Sequence, residues 1–446
     1  MENNNCVSVK NKKVAFLTLG CKVNSYETEA MQTLFVGAGA VLVDFQETAD
    51  IYVVNTCSVT NMADRKSRQM LHRAKKKNPD AIVVAAGCYA QTADEETMKE
   101  TGIDVVIGNN QKKQIVEILA RYIQGEENKR LEIGKETEYE ELSLDTQVEH
   151  TRAYVKIQDG CNQFCSYCII PYARGRIRSR KPQNVKEEVE RLAAAGYQEV
   201  VLTGIHLSSY GQPVDDGSQP LLELIKELDG ISGIKRIRLG SLEPRIITEN
   251  FVKTLCECRT VCPHFHLSLQ SGSDTVLKRM NRKYTTEDYA ASVELLKKYY
   301  HAPAITTDII VGFPQETEEE FAETLAFAER IGFSKIHVFK YSRRKGTVAD
   351  KMPGQVAEQI KTERSERLMA LEASLGERYR SQFTGKEEKV LFEEQTTMNG
   401  VECQTGYNER YIRVVVRTEE DLSNQIRTVR VTENIPGQEA VCAELQ

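Results

Sequence analysis

Short runs of β-branched and apolar residues, each ended by Gly, Asn or Cys and followed by a segment of helical spacing, recur along most of this 446-residue chain. That alternation limits the fold more than any other feature. Up to about residue 140 the runs are Val14 to Leu19, Ile51 to Thr56, Ile82 to Ala86 and Val105 to Gly108, with helical spacing over Ser25 to Ala38 and Met62 to Lys77. Strand–helix–strand order of this kind predicts a parallel sheet with helices on its faces. The acid-rich stretch Glu136 to Glu141 has no apolar periodicity and reads as a linker. A second alternating region, 147–375, offers six strands: Ala153 to Ile157, Glu199 to Thr203, Ile234 to Leu239, Phe265 to Leu269, Ile305 to Val311 and Ile336 to Phe339. Thr285 with Asp288, and Thr317 with Glu320, have capping-box spacing, and Gly332 stands where a helix stop is expected. Six such units predict a partial (β/α)6 barrel of the TIM type, with its chemistry at the carboxyl ends of the strands.

Beyond a long polar helix, Val356 to Tyr379, the rhythm changes. Lys389 to Phe392, Gly406 to Arg410, Tyr411 to Arg417 and Arg427 to Thr432 are strand-like, with turn signals at Asn399-Gly400 and Pro436-Gly437. They predict a small antiparallel β-barrel. The expectation is an α/β protein of three domains, 1–140, 147–375 and 376–446.

Composition narrows the function classes. At 40% hydrophobic and 28% charged residues, the chain has the make-up of a soluble globular protein. Its longest nearly apolar run, Ala81 to Ala90, is about half the ~20 residues of a membrane helix. The amino-terminal residues carry no apolar signal region, so a cytoplasmic protein with no membrane partner is expected. The net charge of −6, with no region basic as a whole, means that a nucleic acid would have to be held by local cationic patches. Twelve cysteines in a chain without an export signal read as metal ligands, catalytic groups or small core residues, not as a disulfide framework.

Gly160-Cys161-Asn-Gln-Phe-Cys165-Ser-Tyr-Cys168 puts three thiols on one loop just after the first barrel strand. Such a loop can wrap a cubane so that three irons take thiolates and the fourth stays open. A structural zinc site would want a fourth protein ligand, which the neighbouring sequence lacks. This spacing resembles the radical S-adenosylmethionine (SAM) superfamily. A second set has to be assembled in space. Cys21, Cys57 and Cys88 each lie one or two residues past a predicted strand, so a parallel sheet carries all three to one edge, where open α/β sheets place their sites. The competing reading is three small core residues at strand ends.

The phrases Leu17-Thr-Leu-Gly-Cys21-Lys-Val-Asn-Ser-Tyr-Glu27, Asn55-Thr-Cys57-Ser-Val-Thr60 and Gly87-Cys88-Tyr-Ala-Gln91 resemble the amino-terminal domain of the radical methylthiotransferases. Thr203 to Gly211, Leu267 to Gly272, Asp308 to Glu316 and Tyr341 to Thr347 continue the likeness, and the last region resembles the RNA-binding TRAM barrel. Within the family, residues 158–180 are most similar to the enzymes acting on threonylcarbamoyladenosine in tRNA. The resemblance implies two 4Fe-4S clusters, a radical-generating one on Cys161, Cys165 and Cys168 and an auxiliary, sulfur-donating one on Cys21, Cys57 and Cys88. It also implies two molecules of SAM, one supplying the methyl group and the other, reductively cleaved, the radical that attacks an inert C–H bond. The product would carry a methylthio group at carbon 2 of the modified adenosine at position 37 of tRNA, and an electron donor would be needed. The isopentenyladenosine tRNA enzymes and the ribosomal-protein aspartate enzymes are the alternatives within the class. A non-catalytic iron–sulfur protein, binding RNA or carrying electrons, is the alternative outside it.

Gly204, Ser241, Glu243, Gln270 and Asp308 sit at or near strand ends, where SAM contacts are expected, although each also suits a turn or a buried hydrogen bond. His206 suits the cofactor or a helix cap equally. Cys256, Cys258 and Cys262, with His264 and His266, string together like zinc ligands but read better as scattered residues. For RNA there are three patches. Arg174, Arg176, Arg178, Arg180 and Lys181 follow the radical loop and are read as phosphate contacts. Arg65 to Arg68 and Arg73 to Lys77 lie on one helix and read equally as a solvated face. Tyr407, Tyr411, Arg410, Arg413 and Arg417 offer stacking and phosphate contacts in the terminal barrel.

Overall fold

The computed structural model describes residues 9–127, 130–144, 151–212, 218–398 and 400–446. Cys6, Asn399 of the predicted turn, and the expected boundary at 147 lie outside the described residues. The chain opens with β1 (Lys13–Thr18), α1 (Lys22–Gly37), β2 (Val41–Val43), β3 (Ile51–Thr56), α2 (Asn61–Lys77), β4 (Ile82–Ala86), α3 (Gly87–Thr92), α4 (Glu95–Glu100), β5 (Val105–Ile107) and α5 (Ile115–Ile123). Its five strands are parallel in the order β2-β1-β3-β4-β5. Alternate residues feed two cores: Val14, Val53 and Val84 pack toward α1 and α5, while Ala15, Tyr52, Val54, Val83 and Ala85 pack toward Leu71 and Ala74 of α2. The sequence pattern misses β2, an edge strand of only three residues, Val-Leu-Val, too short to stand out as a strand signal.

The expected linker does not behave as one. Tyr139 Oη donates to the Lys156 carbonyl at 2.8 Å, a Glu140 carboxylate oxygen accepts from the Lys113 amide at 2.7 Å, and Leu142 and Leu144 are buried against Tyr26 and Ala30 of α1. Three of its acidic residues meet neighbouring donors, Glu136 that of Asn110, Glu140 that of Lys113 and Glu141 that of Arg180, while Glu138 is exposed.

The second region runs β6 (Ala153–Lys156), β7 (Gln158–Asp159), α6 (Ile170–Arg174), β8 (Arg178–Ser179), α7 (Pro182–Ala194), β9 (Glu199–Thr203), α8 (Pro220–Asp229), β10 (Arg236–Leu239), α9 (Glu249–Glu257), β11 (His264–His266), α10 (Asp274–Arg279), α11 (Thr286–Tyr299), β12 (Ala304–Val311), α12 (Glu318–Ile331) and β13 (Lys335–Lys340). Parallel sheets β10-β9-β6 and β11-β12-β13 are joined by bridges Ile237–Val261 and Leu242–Leu267. The result is a six-stranded partial barrel. Capping boxes at Thr285 and Thr317 start α11 and α12, and Gly332 ends α12 in the left-handed conformation. Val155, Val200, Leu202, Ile237, Leu239, Phe265, Leu267, Ile305 and Ile309 turn to the helices. Their strand neighbours, among them Arg152, Tyr154, Lys156, Glu199, Arg238, His264, His266, Asp308 and His337, therefore take the concave side.

Helix α13 (Glu358–Ser381) leads to β14 (Glu387–Met398), β15 (Val401–Asn408), β16 (Arg413–Arg417), β17 (Ile426–Asn434) and β18 (Ala440–Leu445), a closed barrel in the order β14-β15-β16-β18-β17. It is not wholly antiparallel as expected, because β16 and β18 pair in parallel. This barrel plugs the amino-terminal end of the larger one. Arg236 donates to the carbonyls of Tyr407 (3.0 Å) and Lys389 (2.7 Å), and Arg152 lies over the rings of Tyr407 (4.8 Å) and Tyr411 (4.9 Å). The two tyrosines expected to stack on bases thus stack on each other and on arginines of the same chain. Arg410 is likewise used internally, on Glu388 and on the carbonyls of His301 and Ala302. Only Arg413 and Arg417 of that set are exposed.

Candidate iron–sulfur centres

Strands β1, β3 and β4 are adjacent and parallel, so the residues that follow them meet at one sheet edge. Cys21 caps α1, Cys57 follows β3 directly, and Cys88 is the second residue of α3. Cys57 and Cys88 are buried and Cys21 is exposed. Two glycines let these turns close. Gly20 (φ +106°) sits where a Cβ would come within 2.8 Å of the Cys57 Sγ, and Gly87 (φ +88°) where one would come within 2.6 Å of the Thr56 carbonyl. Asn24 Nδ2 ties the turns together, donating to the carbonyls of Leu19 (2.7 Å) and Thr56 (3.0 Å).

Cys161, Cys165 and Cys168 sit on the loop between β7 and α6. Gly160 (φ +71°) passes so close to the Arg176 carbonyl that no side chain fits there. The loop rests on residues 279–284: the Ser166 amide donates to the Met280 carbonyl (3.0 Å) and Asn281 Nδ2 to the Phe164 carbonyl (3.0 Å). Arg282 donates to Cys165 Sγ at 3.2 Å and to the Ser268 carbonyl at 3.4 Å. Burial pushes the thiols of Cys57 and Cys161 up to about 11 and that of Cys168 to about 12. Such groups stay protonated in water and give up the proton to a metal ion. Three thiols at a sheet edge and three on a loop, with no carboxylate or imidazole in either set, make a donor set suited to iron–sulfur clusters with one iron left open.

One buried ionic network joins the two sets. Arg174, fully buried on α6, donates through Nε to Cys88 Sγ (3.3 Å), and its other nitrogens reach Glu27 (2.8 Å), Asp159 (3.1 Å) and Asn24 Oδ1 (2.7 Å). Glu27 also receives Lys112 (3.1 Å) and Lys156 (2.7 Å), and Lys156 reaches Asp159 (2.7 Å). Burial opposes the charge on Glu27, but Arg174, Lys112 and Lys156 hold its carboxyl well below the usual range. Asp159 then accepts the amide of Gly160, the residue before Cys161. From Cys88 to Cys161 the path is therefore Arg174, Asp159 and one peptide unit. Arg344 adds a second tie, pairing with Asp64 (2.8 Å) and donating to Ser58 (2.6 Å) beside Cys57.

This network corrects the reading of the 174–181 run. Arg174, Arg178 and Arg180 are buried in intramolecular pairs with Glu27, Asp159 and Glu188, leaving Arg176 and Lys181 at the surface. On α2, by contrast, Arg65, Lys66, Arg73 and Lys76 are exposed. Arg176 shares the alternating spacing of Arg174, Arg178 and Arg180 and is nevertheless exposed, so the run itself does not mark which arginines go inside.

Of the other expected residues, Glu243 lies near the three-cysteine loop. Burial works against the Glu243 carboxylate, yet hydrogen bonds from His206 and Arg245 bring it down to about 2. Arg245 also reaches Gln163 (3.5 Å) on that loop. Gln270 holds φ +74° with its amide donating to the Asp308 carbonyl. His206 is engaged by Ser209 (2.5 Å) and Glu243 (3.4 Å), and Ser241 is exposed. Gly204 packs against the Gln158 side chain. The Asp308 side chain joins a group with His266 and His337 on the concave side. Cys256 and Cys258 direct their thiols to the carbonyls of Tyr299 and Thr254, and they form no metal-ligand group among the described residues. Arg282 and His337 had no motif to mark them, and Glu27, although it closes the phrase Leu17 to Glu27, had no role assigned to it.

Comparison with known proteins agrees with this geometry. The radical SAM superfamily model matches residues 155–328, and the family described as uncharacterized, UPF0004, matches residues 13–108. The chain is 45% identical over 94% of its length to the threonylcarbamoyladenosine tRNA methylthiotransferase MtaB of Bacillus subtilis, covering 93% of that protein. It is 40% identical over 91% of its length to the protein of the same name from Aquifex aeolicus, covering 100% of it. With the tRNA-2-methylthio-N(6)-dimethylallyladenosine synthase of Clostridium novyi it shares 36% identity, over 88% of each chain. The fold is shared with the radical SAM methyltransferase TsrM of Kitasatospora setae, at a TM-score of 0.57 and 15% identity, over 74% of this chain and 75% of that one. A core barrel and a second sheet joined in this way define a radical SAM enzyme with an additional cysteine-bearing edge. The chain belongs to the radical SAM methylthiotransferase family.

Proposed function

We propose that this chain adds a methylthio group to carbon 2 of N6-threonylcarbamoyladenosine at position 37 of tRNA. The observation that carries the reading is the pairing of two three-cysteine sets through one buried network, in a chain 45% identical to an enzyme named for that reaction. Cys161, Cys165 and Cys168 would hold the radical-generating cluster, and Cys21, Cys57 and Cys88 the auxiliary one. With SAM bound, these clusters supply the radical and the sulfur. The protein's share is to hold the two thiol sets in fixed relation, which Arg174, Glu27, Lys112, Lys156 and Asp159 do, and to keep the concave side closed at its base. Glu243, Gln270, Gly204 and Ser241 are proposed to border the SAM site. The division into units 1–140, 147–375 and 376–446 follows the same reading. The exposed cations of α2, which begins four residues after Cys57, would carry the tRNA backbone past the centres. Among the described residues no helix is long and apolar enough to cross a membrane. A cytoplasmic location and a separate electron donor complete the proposal.

Mass spectrometry of tRNA nucleosides from cells with and without the gene tests it. The expected result is loss of the 2-methylthio form of threonylcarbamoyladenosine, with that base persisting unmethylthiolated. Loss of the isopentenyl counterpart instead would move the chain to the neighbouring subfamily.

A further inference from the structure

On the concave side of the larger barrel, three side chains from adjacent parallel strands converge: His266 of β11, Asp308 of β12 and His337 of β13. Their polar atoms all lie within 4.8 Å of one another. His266 is held at both ring nitrogens, Nδ1 by the Thr306 hydroxyl (3.0 Å) and Nε2 by Asp308 (3.3 Å). The His337 ring lies 5.9 Å from that of His266, tilted by 32°, and is the most exposed of the three. The group stands one strand repeat below Ser268, whose carbonyl is bound to the arginine on Cys165; two residues of strand span about 7 Å. It is thus the polar floor beneath the radical loop.

We propose that His266, Asp308 and His337 form the subsite that receives the substituent on N6 of the substrate adenine, and that they select one bearing hydroxyl, amide and carboxylate groups over a hydrocarbon. The proposal rests on the function given above and names the residues that set its specificity. Carbon 2 and carbon 6, which bears the N6 nitrogen, flank the same ring nitrogen, so a base with carbon 2 turned toward the radical loop sends its substituent no further than a neighbouring layer of side chains. Burial, ahead of the opposing pull of Asp308, keeps the His337 imidazole below its usual pKa, so it meets the substituent as a neutral donor or acceptor. Asp308 supplies an acceptor for a hydroxyl or amide N–H. A dimethylallyl group placed here would offer no partner to the His337 ring or to the Asp308 carboxylate beyond its bond to His266, and sites built for hydrogen bonds reject such analogues strongly.

The test compares anticodon stem-loops carrying threonylcarbamoyl- or dimethylallyl-adenosine, using the cluster-loaded enzyme and reading both equilibrium binding and kcat/KM. Wild type is expected to prefer the threonylcarbamoyl stem-loop. His337→Phe should lower binding and kcat/KM for that stem-loop by about 10- to 100-fold, chiefly through KM, and narrow the preference, while His337→Gln, which keeps a donor and an acceptor, should restore most of it. Equal iron content and equal melting temperature identify the folded variants, and Asp308→Asn reports on the same floor if either His337 variant fails to fold. Retained preference in folded His337→Phe and Asp308→Asn would overturn this inference and leave the proposed function standing. Absence of preference and of any modification in wild type would overturn both. Stoichiometric zinc or cobalt held by wild type and lost in His337→Phe would overturn the subsite in favour of a metal centre, since two imidazoles and a carboxylate are also a metal-binding set.

Discussion

The two cysteine sets of this protein are built in opposite ways. Cys161, Cys165 and Cys168 come from eight consecutive residues, and their loop is shaped by Gly160 and braced by residues 279–284. Cys21, Cys57 and Cys88 come from three separate turns, and what brings them together is the parallel order β1-β3-β4. Each set has a guanidinium on one of its sulfurs, the half-buried Arg282 on Cys165 and the buried Arg174 on Cys88, but their surroundings differ. Arg282 sits among a tyrosine ring and a carbonyl, whereas Arg174 stands between two buried carboxylates. The local set is therefore held by its own loop, and the dispersed set by charges that also weld it to the other half of the molecule.

The largest expected effect treats the two sets alike. Cys57→Ala or Cys165→Ala should lower methylthiolation by more than about a thousandfold while leaving iron bound at the other set, since ligand loss removes cofactor chemistry and not the fold. Arg174→Leu and Arg282→Leu should separate them. The first leaves Glu27 and Asp159 under-compensated in the interior, and denaturant unfolding should show a loss of about 3–5 kcal/mol. The second removes hydrogen bonds to a thiol and a carbonyl and should cost about 1–3 kcal/mol. An equal loss in both variants would break the contrast. Glu243→Gln should flatten the acid limb of the stability profile. The carboxyl is depressed to about 2, so its contribution is present above the unfolded value of about 4.3 and is lost as pH falls through about 2. The smallest effect concerns the cationic runs. Replacing Arg65, Lys66, Arg73 and Lys76 by Gln should reduce the salt dependence of tRNA binding by up to about three to four charges, whereas Arg176→Gln with Lys181→Gln should change it by two at most.

What the sequence disclosed follows the same division. Spacing alone exposed the contiguous loop, and strand alternation was enough to bring Cys21, Cys57 and Cys88 to one edge, because parallel strands leave no freedom about which ends coincide. The six barrel strands and both capping boxes were legible for similarly local reasons. The fate of charged side chains was not. Nothing in the pattern of residues 174–181 says that Glu27, 147 positions away, will draw Arg174 inside. Tyr407 and Tyr411 likewise offer a stacking surface until Arg152 and Arg238 occupy it. His337, alone on a short strand, acquires meaning only when β11 and β12 set His266 and Asp308 beside it.

Iron and sulfide analysis of the anaerobically reconstituted protein tests the two-centre architecture most directly. Two such centres require about eight irons in wild type, about four in the C21A/C57A/C88A variant and about four in the C161A/C165A/C168A variant. About eight irons remaining when Cys21, Cys57 and Cys88 are all removed would contradict it.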